Sequence, residues 1–164
     1  MIHYPVRTMD DFIYISENTI QHLSLHDCCC KKMHWKETTL ILDMEWMEVL
    51  ASHPDNPFEK AHQSGAGRIV LYDTVIVSGE LINDDNSLPM DKINEVKDFE
   101  ILDFNETIND EKYELSLFGD SVYEPKADFI KMNIKYSSSQ VMFNGLGEIS
   151  WFESDEFLHS VSQQ

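Results

Sequence analysis

The stretch at residues 39–47, "TLILDMEWM", alternates between apolar and polar side chains. Strict alternation predicts a β-strand with one buried face and one exposed face. Lys36 and Glu37 join this run to the one before it, residues 26–35, so the two runs are expected to form a hairpin. Lys-Glu is a disfavoured turn pair, which leaves a longer loop open. The apolar face of the second strand comprises Leu40, Leu42, Met44 and Trp46.

Further strands are predicted outward from this hairpin. The β-branched run at residues 68–78 predicts one long strand, or two strands with a kink near Asp73. Other runs are predicted as strands at residues 99–104, 112–118, 128–136, 140–143 and 149–152. The fold class is therefore mainly β (or α+β), as an antiparallel sandwich or open barrel of about eight strands with one or two short marginal helices.

The marginal helices are expected at two places. Pro57 favours the start of a short helix through residue 62, because proline suits the first helical position. Ser154 is expected to cap a last helix whose first turn carries Asp155 and Glu156. Residues 1–22 and 83–98 give no clear pattern.

Length and charge bound the protein class. The chain has 164 residues, which predicts a single domain over residues 1–164. It carries 12 Lys and Arg against 30 Asp and Glu, a formal net charge of −18. A field of this sign repels nucleic acid and anionic lipid, and it attracts basic proteins. The expected partner is therefore a basic protein, with no nucleic acid and no membrane; acidity that serves solubility alone remains the alternative.

The cysteines and the N-terminal residues indicate a cytoplasmic protein. Cys28, Cys29 and Cys30 are adjacent, whereas a secreted disulfide framework spaces its cysteines along the chain. No basic leader followed by an apolar stretch opens the sequence, and no apolar run reaches the roughly 18 residues that span a bilayer.

The segment "HDCCCKKMHW", residues 26–35, holds the candidate metal ligands. On a regular strand, His26, Cys28, Cys30, Lys32 and His34 share one face. If Lys36 and Glu37 form a two-residue loop, Cys30 lies opposite Asp43 and Cys28 lies opposite Glu45. Zinc accepts histidine, cysteine and carboxylate ligands. The candidates gathered on one face are His26, Cys28, Cys30, Asp43 and Glu45.

Strand geometry argues against that metal site. Cys28 and Cys30 are two positions apart, which separates their sulfurs by roughly 6–7 Å on a flat strand. One tetrahedral zinc ion brings two sulfurs to about 3.7 Å. Free cysteine is commonly buried as a small apolar residue, so the segment is interpreted as a core strand. No catalytic residue, cofactor or metal is assigned.

The arrangement of Leu25-His26-Asp27, the hairpin ending at Leu40-Ile41-Leu42 and the late stretch at residues 149–152 resembles small uncharacterised bacterial proteins. Some of these are classed among the immunity proteins of polymorphic toxin systems. The resemblance covers residues 1–50 and 140–164, and this chain departs from it in having three cysteines after His-Asp. It implies a β-rich single domain that binds a partner protein, and it assigns no site residues.

Three functions follow from these observations. The first is a non-enzymatic acidic module that binds a basic partner, as an immunity protein does. The second is an accessory domain without chemistry. The third is a metal-dependent enzyme that uses His26 with Cys28 or Cys30.

Overall fold

The computed structural model describes residues 12–162. In this part of the chain there are thirteen β-strands, three 3₁₀ turns at Ile20–His22, Met90–Lys92 and Trp151–Glu153, and one α-helix, α1, at Asp155–Ser162. The strands in chain order are β1 Tyr14–Glu17, β2 Leu23–Ser24, β3 Cys29–Lys36, β4 Thr39–Met44, β5 Glu48–Val49, β6 His62–Gln63, β7 Gly67–Tyr72, β8 Val75–Ile82, β9 Ser87–Pro89, β10 Glu95–Asn109, β11 Lys112–Val122, β12 Ala127–Tyr136 and β13 Ser138–Phe143.

Antiparallel pairing dominates, as the alternation predicted. Ten strands form one sheet in the order β1-β13-β7-β4-β3-β10-β11-β12-β8-β9, and β2, β5 and β6 form a small second sheet. The expected number of about eight strands is wrong for the described residues. Five of the thirteen strands contain four residues or fewer, which is too short for alternation to be recognised.

Two very short links fold the large sheet back on itself. Asp73 and Thr74 connect β7 to β8, although these strands are third and ninth in the sheet order. Ser137 alone connects β12 to β13, which are eighth and second. Such short links require the two ends of the sheet to lie close together. We call β1, β13, β7, β4 and β3 the first half, and β10, β11, β12, β8 and β9 the second half.

The links are held to each other by hydrogen bonds. The Ser137 amide donates to the Tyr72 carbonyl at 3.0 Å, and its hydroxyl donates to the Asp73 carboxylate at 2.8 Å. Asp73 adopts a left-handed backbone with φ of 54°, which aspartate tolerates better than most residues. The predicted break near Asp73 is thereby confirmed, and it separates two strands.

One hydrophobic cluster fills the space between the halves. Leu42, Ile69 and Phe143 of the first half belong to it together with Leu117 and Ile130 of the second half, and all five are fully buried. Full burial of one such side chain contributes about 1.5–3 kcal/mol. The inner faces of both halves therefore form a common core.

The outer faces of the halves differ. On the first half, Ile41, Val70 and Met142 form a separate buried cluster, against which Phe12 and Tyr72 pack. Within residues 12–162, no comparable buried cluster lies on the outer face of the second half. That outer face is consequently the open side of the sheet.

The β3–β4 hairpin is confirmed, but its register differs from the expected one. The loop is Glu37 and Thr38, because Lys36 pairs with Thr39. Glu37 takes the left-handed conformation of this turn, with φ of 57°. A two-residue loop is therefore present, one position later than expected.

A β-bulge in β3 changes which side chains face the core. The register shifts between Cys30 and Lys32, so Lys31 is an extra residue on this strand. Cys30 and Met33 are both buried as a result. The expectation that Cys30, Lys32 and His34 share one face is wrong, because the bulge reverses the alternation after Cys30.

The C-terminal helix is confirmed and two other expectations are wrong. The Ser154 hydroxyl accepts the Phe157 amide hydrogen at 3.1 Å, so Ser154 caps α1. Residues 58–61 contain no helix, and Ile149 forms only an isolated bridge to His62 before the turn at Trp151–Glu153. In the portion described, none of the helices has the length and apolar character needed to cross a membrane.

Candidate functional site

The His-Asp pair forms a turn between β2 and β3. Asp27 has a left-handed backbone with φ of 67°, and its amide donates to the Ile101 carbonyl at 2.8 Å. His26 Nδ1 bonds the Leu102 carbonyl, and its Nε2 lies 3.4 Å from the Asp27 carboxylate. Both side chains are about half exposed. The pair therefore fastens the turn onto β10.

Cys28 and Cys30 lie in the core. Both have no exposed surface. Burial, followed by the charge of Glu48, raises the pKa of Cys28 to about 12, and burial raises the pKa of Cys30 further. The thiolate is the form that attacks substrates and binds metals, so these thiols are held in the unreactive state at neutral pH.

Cys29 points to the opposite side of the strand. It pairs with Glu100 on β10 and is partly exposed. Burial, then the charges of Glu45 and Glu100, raise the pKa of this thiol as well. Its acidic surroundings therefore disfavour a reactive thiolate.

The two expected carboxylate ligands lie away from the buried cysteines. Asp43 pairs with Lys32, and Cys30 pairs with Met44, which corrects the expected pairing of Cys30 with Asp43. Asp43 accepts a hydrogen bond from Arg68 Nε at 2.7 Å on the outer face. Glu45 is exposed. Over residues 12–162, no three His, Cys, Asp or Glu side chains are placed to hold one metal ion.

A buried histidine that sequence reasoning did not single out contacts a serine. His53 is 2% exposed, and its Nε2 lies 3.2 Å from Ser16 Oγ. Its Nδ1 accepts the Asp55 amide hydrogen at 3.0 Å, which places the ring proton on Nε2. His53 then donates to Ser16 and cannot remove its proton. Burial also lowers the pKa of His53, so the ring stays neutral and holds the loop.

A half-buried acid, Glu106, contacts a tyrosine at the far end of β10. The Tyr136 hydroxyl donates to Glu106 Oε2, and the Tyr136 ring stacks on Tyr113 with centroids 5.6 Å apart. Glu106 Oε1 is buried and, among the described residues, has no hydrogen-bond partner. Burial raises the pKa of Glu106, and the bond from Tyr136 opposes that rise.

We expect Glu106 to make stability depend on pH. Because its pKa is raised in the folded protein, the stability contributed by protonation is fully present below the ordinary value near 4.5 and is lost as the pH rises through the folded pKa. Glu106→Gln does not titrate, so its free energy of unfolding should improve relative to the original chain as the pH rises from acidic to neutral. Chemical denaturation at several pH values measures the difference.

A second variant provides the control for this pH effect. Tyr136→Phe removes the hydrogen bond that lowers the pKa of Glu106, so the loss of stability should extend to higher pH. Both variants contain the same histidines as the original chain. Subtracting the free energy of unfolding of the original chain from that of each variant therefore removes the contribution of the histidines to the pH dependence. A pH-independent difference for Glu106→Gln would contradict the assignment.

The outer face of the second half carries two stacked aromatic side chains, one half-buried and one exposed, with acids beside them. Phe118 and Phe129 stack with centroids 5.5 Å apart and planes 17° apart. Cross-strand pairing places Asp103 beside Phe118 and Asp120 beside Phe129. Lys131, which pairs with Phe118 on one side and with Glu80 on the other, is a basic residue on the same face. We name this the aromatic–acidic face: Phe118, Phe129, Glu80, Glu100, Asp103 and Asp120.

Acidic side chains on this face repel one another. Glu100 pairs directly with Asp120 across β10 and β11. Partial burial, followed by the charges of Asp120 and Asp27, raises the pKa of Glu100. Asp120 Oδ1 has no hydrogen-bond partner among the described residues and no contact with solvent. A cationic hydrogen-bond donor beside Glu100 and Asp120 would reduce the repulsion between the two carboxylates and would give Asp120 Oδ1 a hydrogen bond.

A pocket lies at one end of the face, beside the β11–β12 hairpin. It is an open cavity of about 780 Å³. Tyr123, 69% exposed, and Phe129, 40% exposed, supply its aromatic surface. We name this the hairpin pocket, and its polar and aromatic lining comprises Asp84, Asp120, Ser121, Asp128, Lys126, Tyr123 and Phe129.

Hydrogen bonds to backbone groups hold the hairpin pocket from two sides. Asn83 Oδ1 accepts the Asp128 amide hydrogen at 3.2 Å, and Asn83 Nδ2 donates to the Lys126 carbonyl at 3.4 Å. On the other side, the Tyr123 amide donates to the Asp98 carbonyl at 2.9 Å. The pocket walls are thus fixed by their neighbours before any partner binds.

Comparisons with known proteins identify no relative. The chain matches no protein-family model, no curated protein and no solved structure.

Proposed function

We propose that this chain is a non-enzymatic, acidic protein-binding module that binds a basic partner through the aromatic–acidic face. In this proposal it acts as an immunity-type protein of the bacterial cytoplasm and neutralises that partner. The folded-over sheet serves as a sandwich or open barrel whose second half is the binding platform. The observation that supports this proposal most strongly is the Phe118–Phe129 stack among carboxylates, in which Phe129 is exposed and Phe118 is half-buried.

The charge of the face supports a basic partner. Four carboxylates, those of Glu80, Glu100, Asp103 and Asp120, lie on it, and in residues 12–162 none of them forms an ion pair within 4.0 Å. The face therefore carries an excess of negative charge, four carboxylates against the one lysine Lys131 that pairs with Phe118 and Glu80. Such an excess speeds the encounter with a partner of the opposite sign and orients it.

The aromatic stack supports protein as the partner class. Protein interfaces are enriched in aromatic residues at their centre and carry a polar rim. Phe118 and Phe129 occupy the centre of the face, and the carboxylates lie around them. The β-sheet holds these positions, so little ordering cost arises on binding.

The placement of the reactive side chains favours binding over catalysis. His26 bonds a backbone carbonyl, His53 accepts a backbone amide, and Cys30 is fully buried. Each of these groups thereby serves the fold. The accessory-domain alternative differs from this proposal in one respect. Under it, no partner protein covers the Phe118–Phe129 stack.

Reversing charge on the face tests this function. The double variant Glu80→Lys/Asp103→Lys should lower the association rate with deca-lysine, used as a basic probe, about tenfold or more, because the attraction becomes repulsion. Surface plasmon resonance at low and high ionic strength measures the rate. The rate for the original chain should also fall as salt increases.

The matched control is Glu59→Lys/Glu156→Lys, which makes the same charge change at exposed positions outside the face. It should change the rate by less than about twofold to threefold, since distant exposed charges are screened. Equal effects of the two double variants would contradict the face as the binding site. No complex with the original chain would favour the accessory-domain alternative.

A further inference from the structure

We propose that the hairpin pocket holds one arginine side chain of the basic partner. This inference rests on the proposed function and names the anchor of that interaction. The pocket adjoins the aromatic–acidic face through Asp120 and Phe129, which belong to both. A partner that covers the Phe118–Phe129 stack therefore also covers the pocket mouth.

The lining of the pocket matches a cation on an apolar stem. The lining contains three carboxylates, those of Asp84, Asp120 and Asp128, and one amine, that of Lys126. Among the residues described, none of the three carboxylates has an ion-pair partner within 4.0 Å. Val122 and Ala127 line the same cavity and are buried. The methylene groups of a long basic side chain can lie on such apolar atoms while its charged end reaches the carboxylates.

The aromatic rings select arginine over lysine. Tyr123 and Phe129 expose their rings at the pocket. A guanidinium group is planar, stacks on aromatic rings and donates two parallel hydrogen bonds to a carboxylate. An ammonium group is more strongly hydrated and forms no such pair of bonds. Arginine therefore uses both components of this lining.

The buried oxygen of Asp120 gives the guanidinium a specific acceptor. Oδ1 of Asp120 lacks a hydrogen-bond partner among the described residues, although Asp120 lines the pocket. A buried acceptor without a donor is destabilising. A small movement of this side chain toward the cavity would give that oxygen an arginine N–H and remove the cost.

The pocket is also built before binding. The Asn83 side chain connects the β8–β9 turn to the β12 end of the hairpin, and the Tyr123 amide connects the hairpin to β10. Fixed walls reduce the ordering cost that an anchor side chain would otherwise bear. Binding energy is concentrated where an arginine enters a well-formed, desolvated pocket.

Charge-matched peptides test the arginine assignment. Isothermal titration calorimetry compares deca-arginine with deca-lysine, and the original chain should bind deca-arginine about fivefold more tightly or better, because stacking adds to charge. Tyr123→Leu should reduce this ratio to about one by weakening deca-arginine alone. Phe58→Leu, which alters an exposed aromatic outside the face, should leave the ratio unchanged.

Charge neutralisation in the pocket gives the second readout. Asp128→Asn should weaken deca-arginine more than Glu59→Gln does, although each removes one negative charge from an exposed position. Amide chemical shifts of the isotope-labelled chain should move at residues 120–129 when deca-arginine is added. Circular dichroism melting of each variant checks that its fold is retained.

The outcomes separate this inference from the proposed function. Equal affinity for the two peptides, or a ratio that Tyr123→Leu leaves intact, overturns the arginine pocket while Glu80→Lys/Asp103→Lys still reports on the face. A preference for deca-lysine that Tyr123→Leu abolishes assigns the pocket to lysine and also overturns the inference. If neither peptide binds, the attraction to basic chains fails and both proposals fall.

Discussion

Replacing Phe143 by alanine is expected to lower the free energy of unfolding by about 3–5 kcal/mol. Phe143 is fully buried on β13, at the centre of contacts from several elements. Its ring lies 5.3 Å from that of Tyr14 on β1 and 5.6 Å from that of His53. Truncation removes buried apolar surface and leaves a cavity that these neighbours cannot fill. Urea denaturation measures the loss.

The same substitution on the outer face provides the control. Phe129 is 40% exposed, and its main ring contact is the stack with Phe118. Phe129→Ala should therefore cost only about 1 kcal/mol in stability. Comparable losses for Phe129→Ala and Phe143→Ala would contradict the division into a common core and an open outer face. Under the proposed function, Phe129→Ala should weaken partner binding although the fold persists.

Replacing Gly119 by valine is expected to cost about 3 kcal/mol, the upper end of the range for overpacked cores. A Cβ atom at Gly119 would lie 2.6 Å from the Glu100 carbonyl oxygen and 3.0 Å from the Phe99 ring. Ile130 approaches the same point to 3.1 Å. Because one of these neighbours is backbone, β10 and β11 would have to move apart beside Asp120. Thermal and urea denaturation measure the cost.

Gly145 offers the matched position for this change. A Cβ atom there has no heavy atom within 4 Å. Gly145→Val should change stability by no more than about 0.5 kcal/mol. If Gly119→Val proved equally harmless, the close approach of β10 to β11 at this place would be refuted.

Local features of the fold follow from the sequence because local chemistry decides them. The β3–β4 hairpin follows from alternation, the break at Asp73 from a turn residue between apolar runs, and the cap at Ser154 from its hydroxyl before two acids. The bulge at Lys31 is different, since it depends on how β3 meets both β4 and β10. Alternation alone assumes a regular strand, and it therefore assigned Lys32 and His34 to the wrong side.

The order of strands depends on long-range packing. A short link usually joins two strands that pair with each other. The links at Asp73 and Ser137 instead connect strands from opposite halves of the sheet, and the residues near them do not indicate this. The core position of Cys28 and Cys30 was predicted from the chemistry of free cysteine, and burial confirms it. The pairing of Cys30 with Asp43 depended on an assumed loop at residues 36–37. The observed loop at residues 37–38 would by itself place Cys30 opposite Glu45, and the bulge at Lys31 brings Cys30 opposite Met44 instead.

The candidate binding face combines predictable and unpredictable parts. Alternation places Phe129 on the same side of its strand as Lys131, which indicates an outward ring. Phe118 and Phe129 become neighbours only because β11 pairs with β12 in one particular register. Sequence therefore supplied the excess of acids, and tertiary pairing gathered some of them around two rings.

The pairing of β1 with β13 has a consequence during synthesis. Tyr14 is opposite Phe143, so the first strand acquires its sheet partner only after almost all of the described chain has been made. Until then the backbone groups of β1 have no strand beside them. Contacts this distant along the chain slow folding. On the ribosome, the N-terminal strand is therefore expected to be the last to dock, long after the β3–β4 hairpin can form.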